Sequence, residues 1–368
     1  MVSQPRFSLH VSDEPPPDAV RRRSGMLIVL GILLVTAGML TLAEITVRWL
    51  MGAPASMLDQ AKTVITAAGL PALTDLFEPD PVLFWKLRPN LRSVRIQGTL
   101  EGYPLDFTVS TDSQGRRITS LSEASGAPVL WALGDSSTFG LGVENDETWP
   151  AWLNRIAGDH QQTLNVINYG VPGYTAWQGL RQLEQLLTTE PPPDFLVAGF
   201  WANDKAVWMG RSDPETARML RPAGFPIDWI QHLALFRLLQ KTFPAAAGRA
   251  SNRPRLDEEA FTTCLKELVH RCQRHHITVA LLVWPSRIQV EERQRELYGY
   301  QRLVQNTADD VGCYLINPAG AFMAFGADCF VDNFHGSALG CRLTAEAVWV
   351  WVSATLNREN TNPVTLAP

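Results

Sequence analysis

The chain has 368 residues, of which 46% are hydrophobic and 19% charged, and its formal net charge is -5. This length suits one large domain or two ordinary ones, and the acidic balance argues against nucleic-acid binding. The five cysteines show no Cys-x-x-Cys spacing, which argues against a structural zinc site and leaves at least one thiol free. The pairing of the other thiols stays open.

The N-terminal region has the pattern of a membrane anchor. Residues 1–24 lack hydrophobic periodicity and are predicted to form a disordered cytoplasmic tail. Arg21, Arg22 and Arg23 precede an uncharged apolar run from Gly25 to Ala43, which would measure roughly 28 Å as a helix. We expect an anchor over residues 25–50 in a bacterial inner membrane, with the N-terminus in the cytoplasm and the rest of the chain periplasmic. A cleaved signal peptide is the alternative, although its apolar region usually spans only about 7–15 residues.

Residues 51–127 are predicted to form a linker helix and a small β-rich extension. The linker helix is expected between Pro54 and Leu76, and residues 78–90 form a proline-punctuated extended segment. Alternating apolar and polar residues on either side of Glu101-Gly102 predict a β-hairpin that turns there.

From Pro128 onward, short apolar runs alternate with helical stretches. Such a pattern predicts a parallel sheet covered by helices on both faces, which is a three-layer α/β/α sandwich. We expect this domain over residues 128–355, with an insert at 205–256 and a C-terminal tail at 356–368. The five predicted strands are 129–133, 164–168, 195–200, 278–284 and 313–317.

Polar residues follow the first, second, third and fifth predicted strands. Because ligands of such sheets bind beyond the carboxyl ends of the strands, these segments are expected to converge. Each has a simpler structural explanation as a helix cap or a turn. Together they supply a hydroxyl, an imidazole, a carboxylate, a side-chain amide and a glycine, which are the groups that acyl transfer to a serine requires. The residues are Ser136, Gly173, Asn203, Asp332 and His335.

The order and spacing of these motifs resemble the SGNH/GDSL hydrolase family over roughly residues 128–355. The motifs are Gly134-Asp135-Ser136-Ser137, the Asn168 to Gly173 turn, Asn203-Asp204, and Asp332-x-x-His335. The resemblance implies a flavodoxin-like sandwich with five parallel strands, and a mechanism that needs no metal and no cofactor.

The resemblance also implies roles for individual residues. Ser136 corresponds to the nucleophile, His335 to the general base and Asp332 to the carboxylate that orients the imidazole. The oxyanion hole corresponds to the N–H groups of Ser136 and Gly173 and the side chain of Asn203. Gly170 is a second candidate for the glycine, and Ser137 is expected to cap the following helix.

The sequence departs from the family pattern at three positions. Trp201 stands where many members have glycine, Gly336 where proline is common, and Cys341 where many have a second histidine. The first departure leaves the backbone around Asn203 uncertain, and none removes a catalytic group.

Substrate contacts are expected from three further residues. Trp201 and Trp208 are candidates to stack on sugar rings, although a single tryptophan more often packs in the core. Arg287 is a candidate to bind a charged group at the rim, or it is simply solvated.

Membrane-anchored members with such an extension resemble proteins of cell-envelope or exopolysaccharide modification. We therefore expect an esterase that acts on O-acyl, in particular acetyl, groups of a glycan or on a small ester, and that works beside envelope polysaccharide machinery. One alternative is an O-acyltransferase with the same triad. Another is a non-catalytic membrane-anchored scaffold or glycan-binding protein.

Overall fold

The computed structural model describes residues 17–51, 57–67, 69–119, 124–207, 210–220 and 253–361. The chain divides into two compact units, and one of them contains helix α1, Pro17–Met51. Within α1, Met26–Leu50 is long and apolar enough to cross a membrane, a criterion that a signal sequence also meets.

The second unit begins with an extension, which we define as residues 57–119. Helix α2, Met57–Ala67, is followed by a 3-10 helix, Pro71–Leu76. Strands β1, Phe77–Asp80, and β2, Phe84–Leu87, form an antiparallel hairpin where the sequence indicated only an extended segment.

A second hairpin pairs β3, Val94–Leu100, with β4, Tyr103–Val109. Its two-residue turn lies at Glu101 and Gly102, as predicted, and both residues have positive φ angles, 50° and 91°. Positive φ at both central residues matches the right-handed twist of the flanking strands.

The sandwich is built on a five-stranded parallel sheet, which confirms the predicted fold class. The strand order is β6-β5-β7-β8-β9, so the chain winds outward in both directions from β5. The strands are β5 Val129–Gly134, β6 Asn165–Gly170, β7 Phe195–Gly199, β8 Thr278–Leu282 and β9 Tyr314–Ile316.

Helices cover both faces of the sheet, and the inner strands β5, β7 and β8 are apolar on both sides. On one face α5, α7 and α9 pack together, and on the other α4 packs against α11. The last helix reaches Thr361, beyond the domain end expected at residue 355. The helices are α3 Ser136–Phe139, α4 Trp149–Asp159, α5 Ala176–Thr189, α6 Asp213–Leu220, α7 Glu258–Arg274, α8 Arg287–Glu291, α9 Gly299–Val311, α10 Ala319–Phe322 and α11 Ala338–Thr361.

The end of the extension runs along β6, an outer strand of the sheet. Arg117 forms an antiparallel β-bridge with Asn168, and the Thr119 hydroxyl donates a hydrogen bond to the Val166 carbonyl at 3.2 Å. The two parts of this unit are therefore joined by backbone pairing as well as by their shared apolar core.

All five cysteines lie in the described part of the chain, and each is a free thiol.

Candidate active site

Ser136 lies at the turn where β5 passes into α3. Asp135 is the N-cap of this short helix, since its Oδ1 accepts the Ser137 N–H at 2.9 Å. The sequence suggested Ser137 as the cap, but the cap is Asp135. This aspartate has the extended backbone and the side-chain acceptor oxygen that an N-cap needs. Gly134 allows the tight turn, since a Cβ there would lie only 2.1 Å from Thr138 Oγ1.

The side chains of Ser136, His335 and Asp332 form a continuous chain of hydrogen bonds. Nε2 of His335 lies 2.7 Å from Oγ of Ser136, and its Nδ1 lies 2.6 Å from Oδ2 of Asp332. The other carboxylate oxygen, Oδ1, accepts the N–H groups of Phe334 and His335 at 2.8 and 2.7 Å. Both carboxylate oxygens of Asp332 accept hydrogen bonds from residues of the same loop. These bonds fix the carboxylate, and the carboxylate in turn fixes the imidazole of His335.

The electrostatics of the pair suit a general base. Burial acts to raise the pKa of Asp332, but the hydrogen bond and charge of His335 outweigh burial and hold that pKa below its ordinary value. Burial likewise acts to lower the pKa of His335, and Asp332 outweighs it, so the pKa of the imidazole is raised. The imidazole is therefore a stronger base than a free histidine.

Of the two glycine candidates for the oxyanion hole, Gly173 lies at the cleft. Gly173 lines the same cleft as Ser136, Asn203 and His335, and its φ of +83° favours glycine. Gly170 ends β6, and its N–H donates to Oδ1 of Asn168 at 2.9 Å. Its N–H is thus already engaged, which favours Gly173.

The Asn203 amide is close to the nucleophile turn but is already hydrogen-bonded. Its Nδ2 donates to the Tyr174 carbonyl at 3.1 Å and to Oδ2 of Asp135 at 3.3 Å. Burial raises the pKa of Asp135 to about 6, so this carboxylate is mostly ionised at neutral pH. A substrate oxyanion would have to share or replace the longer bond, the one to Asp135.

A buried arginine supports the Gly173 turn from behind, and sequence reasoning missed it. Arg255 donates to the Gly173 carbonyl at 2.5 Å, to both oxygens of Asp213 at 3.0 and 2.9 Å, and to Gln178 at 2.6 Å. Arg255 and Asp213 are only 3% and 5% exposed at their side chains. An ion pair this far from solvent holds the turn rigid, because breaking it would leave a buried charge.

A second buried arginine, Arg117, holds the chain that leaves the nucleophile helix. It donates to the carbonyls of Phe139, Gly140 and Val143 at 2.8, 2.5 and 2.6 Å. Its guanidinium also stands 4.5 Å from the Phe139 ring. Burial lowers its pKa to about 9. Gly140 N–H in turn donates to the Ser136 carbonyl at 3.0 Å, so Gly140 links Arg117 to Ser136 by hydrogen bonds.

The β3–β4 turn of the extension touches the loop that carries the histidine. Tyr103 donates to Oδ1 of Asn333 at 3.2 Å, and Nδ2 of Asn333 donates to Glu101 at 3.0 Å. Arg287 lies 5.4 Å above the Tyr103 ring, pairs with Glu291 at 2.8 Å, and donates its N–H to the Asn333 carbonyl. Arg287 therefore supports this loop. It does not line the cleft that opens beside Ser136 and His335.

Of the two tryptophans expected to contact substrate, the structure describes only Trp201. Trp201 is 7% exposed, packs edge-on against Phe334, and has Lys205 4.9 Å above its ring. The ring is therefore largely buried by its own neighbours. Trp208 lies outside the described residues.

In the parts of the chain that the structure describes, no group of three or more His, Cys, Asp or Glu side chains is arranged to hold a metal ion.

A family model for the GDSL-like lipase/acylhydrolases matches residues 132–343, more than half of the chain. The chain belongs to the GDSL-like lipase/acylhydrolase family. The matched region contains Ser136, Asp332 and His335, whereas the extension lies before it.

Two curated relatives match short segments of the chain. A segment of 75 residues is 38% identical to an arylesterase from Vibrio mimicus, and one of 72 residues is 32% identical to esterase TesA from Pseudomonas aeruginosa. Each segment is 20% of this chain, and they cover only 37% and 36% of the respective relatives.

Solved structures match a larger share of the chain at low identity. A psychrotrophic esterase, EstA, from Pseudoalteromonas sp. is 17% identical with a TM-score of 0.41, over 62% of this chain and 98% of its own. An acetyl xylan esterase, AlAXEase, is 18% identical with the same TM-score, over 61% and 99%. Similarity at this level carries no information about substrate.

Proposed function

We propose that this chain is a serine ester hydrolase that uses Ser136, His335 and Asp332. The observation that supports the proposal is the unbroken hydrogen-bond chain from Oγ of Ser136 through the imidazole to Asp332, with distances of 2.7 and 2.6 Å. These three groups, in this geometry and on one sheet edge, have the relations that nucleophilic acyl transfer requires.

The proposed reaction has two half-reactions. Oγ of Ser136 attacks the ester carbonyl while Nε2 of His335 takes the hydroxyl proton, and the same proton then goes to the departing alcohol oxygen. Water next attacks the acyl-enzyme, gives its proton to His335, and releases the carboxylic acid as Ser136 recovers the proton. Asp332 keeps Nδ1 protonated and stabilises the imidazolium.

The negative oxygen of each tetrahedral intermediate needs nearby donors. The proposed donors are the N–H groups of Ser136 and Gly173 and the Asn203 amide. Ser136 is the first residue of α3, so its N–H has no acceptor within the helix.

We further propose that the reaction takes place outside the cytoplasm. The arginine triplet at residues 21–23 precedes the apolar stretch Met26–Leu50, and such a charge bias favours a cytoplasmic N-terminus. An O-acylated envelope glycan, acetylated in the simplest case, is the substrate that such a placement would offer, with envelope polysaccharide machinery as the partner.

Transfer of the acyl group to a glycan hydroxyl is the second candidate function. The walls of the cleft beside Ser136 are largely apolar, and an apolar cleft admits less of the water that would resolve the acyl-enzyme. Turnover with and without an added oligosaccharide separates the two candidates, because transfer needs a hydroxyl acceptor and hydrolysis does not.

The test is turnover of p-nitrophenyl butyrate by the full chain in lipid nanodiscs, compared with Ser136→Ala and Ser137→Ala. We expect Ser136→Ala to lose about 10³-fold or more in kcat, and the neighbouring serine variant to stay near wild type. A fluorophosphonate should add its mass to wild type and to Ser137→Ala but not to Ser136→Ala.

Equal turnover by wild type and Ser136→Ala would refute the assignment of the nucleophile. Labelling of Ser136 with turnover only when an oligosaccharide acceptor is added would favour transfer over hydrolysis.

A further inference from the structure

A cleft of about 310 Å³ opens beside Ser136 and His335. One side is made by the sandwich and carries the catalytic groups. The other side is made by the extension, which lies entirely before the region that matches the family model. The shape of this cleft is thus a property of this chain and does not follow from family membership.

Among the described residues, the wall from the extension is lined by apolar side chains alone. It comes from four elements, namely α2, the 3-10 helix with the residue before it, β2 and β3. Its lining residues are Ala61, Ile65, Leu70, Leu73, Trp85 and Leu100. Because most of these side chains also belong to the core, the wall is a fixed surface.

Two backbone contacts hold this wall in place. Gly69, with φ of +96°, approaches Thr99 so closely that a Cβ would lie 2.0 Å from the Thr99 carbonyl oxygen. The Thr99 N–H donates to the Gly69 carbonyl at 3.2 Å, which ties the start of the 3-10 helix to β3.

No charge in the described lining is left to recognise a polar substrate group. Arg255 reaches the cleft, but its guanidinium is bonded to Asp213, Gln178 and the Gly173 carbonyl. The remaining polar side chains are Ser136, His335 and Asn203, which the proposed reaction itself uses.

We propose that this cleft binds an aliphatic acyl chain and that the extension selects for chains longer than acetyl. This inference rests on the proposed ester hydrolysis, and it replaces acetyl, the simplest acyl group considered above, with a longer aliphatic chain. A water-sized group takes about 30 Å³, so the cleft holds on the order of ten such groups, far more than acetyl needs. Burial of a hydrocarbon chain against aliphatic walls is favourable, whereas burial of an unpaired sugar hydroxyl there is costly.

The position of Trp85 assigns the cleft to the acyl side of the ester. Its indole packs against Gly173, 3.1 Å from where a Cβ would be, and its Nε1–H donates to the Pro172 carbonyl at 3.1 Å. The apolar wall therefore begins at the turn that contains Gly173, the proposed oxyanion donor. The alcohol must instead leave beside Nε2 of His335, which protonates it.

The test is a chain-length series on the full chain in nanodiscs, from p-nitrophenyl acetate through butyrate and hexanoate to octanoate. The leaving group is the same throughout, so differences report acyl binding. We expect kcat/KM to rise about fourfold for each methylene until the cleft is full. A second series of acetate esters of longer alcohols should show no such rise.

The matched variants are Leu100→Trp, which fills the cleft, and Leu91→Trp, which changes a similar half-buried leucine of the extension away from it. We expect Leu100→Trp to lose about 30-fold or more on octanoate, the value of several methylenes, and to keep acetate turnover within about twofold. Ile65→Trp is a second cleft-filling variant, should Leu100→Trp fail to fold by thermal melting.

Ser136-dependent turnover that is highest on acetate, or that rises with alcohol length instead, would overturn the acyl-chain proposal and leave the hydrolase proposal intact. An equal loss on all esters in the folded cleft variants would also overturn it. Absence of Ser136-dependent turnover and of fluorophosphonate labelling would instead remove the hydrolase proposal and this one with it.

Discussion

The extension and the sandwich contribute different things to one cleft. The sandwich carries the serine, histidine and aspartate at strand ends, and it contains the family match. The extension carries no motif, yet it provides the apolar wall and makes hydrogen bonds to three loops around the site. Chemistry and shape are thus encoded in separate stretches of chain, and a motif search detects only the first.

Three side chains of the extension, among others, contact the loops around the candidate site. Trp85 packs on the Gly173 turn, Arg117 binds the carbonyls that follow α3, and Tyr103 donates to Asn333 beside the aspartate. If this comparison is right, changes in the sandwich should remove activity at constant stability. Changes in the extension should alter stability, chain-length preference or loop position.

The largest effect is expected for Asp332→Asn in the sandwich. Loss of the carboxylate removes the group that holds Nδ1 of His335 protonated, so kcat should fall about 10⁴-fold with little change in KM. In the proposed mechanism the neutral imidazole is the base, so wild-type kcat/KM should rise with pH through a midpoint above the ordinary histidine value of 6.5. In the variant the midpoint should move to lower pH, because the cause of the raised pKa is gone.

Rates on the butyrate ester from about pH 5 to about pH 9 measure both effects. Asp328→Asn is the matched control, since it changes an exposed carboxylate of a nearby segment. A variant within about tenfold of wild type, or a midpoint that does not move, would contradict the role of Asp332.

A large effect on stability is expected for Arg117→Met in the extension. The substitution leaves the carbonyls of Phe139, Gly140 and Val143 without their buried donor, so we expect a loss of about 3–5 kcal/mol in the free energy of unfolding. Tryptophan fluorescence during thermal unfolding reports it. Arg95→Met is the control, because Arg95 pairs with Asp106 at the surface, where such pairs contribute little. Equal melting of the two variants would show that the buried arginine does not hold the two parts together.

The smallest effect is expected for Tyr103→Phe at the β3–β4 turn. It removes one hydrogen bond to Asn333 and leaves the ring that Arg287 covers. A net hydrogen bond is worth about 1 kcal/mol, so kcat should fall about two- to fivefold with KM unchanged. Tyr298→Phe, at an exposed tyrosine, should change neither parameter. If Tyr103→Phe raises KM and leaves kcat alone, the turn contacts substrate and does not position the histidine loop.

The sheet was predictable because its inner strands β5, β7 and β8 are continuous apolar runs buried on both faces, a pattern typical of parallel sheets. The convergence of Ser136 and His335 followed from it, since parallel strands end at a common edge. The choice between Gly170 and Gly173 was not predictable, because it depends on which N–H the Asn168 side chain accepts.

The surroundings of the site could not be predicted in the same way. Arg117 lies in a polar stretch that suggests an exposed residue, and its burial depends on carbonyls that only the folded chain brings near. The pairing of β1 with β2 was missed because Pro79 and Pro81 argue against strands in general, although an edge hairpin tolerates proline. The contact of Trp201 with Phe334 was not predictable, because the two rings are distant in sequence.

The bridge between Arg117 and Asn168 also has a consequence for solubility. Strand β6 is an outer strand, and an uncovered outer strand offers free N–H and C=O groups to other copies of the chain. The last residues of the extension cover part of the outer edge of β6, at the bridge to Asn168 and at the Val166 carbonyl. A fragment that begins at residue 128, just before β5, would keep Ser136, Asp332 and His335 and expose this edge. Such a fragment is expected to aggregate, which would be mistaken for an intrinsic property of the hydrolase domain.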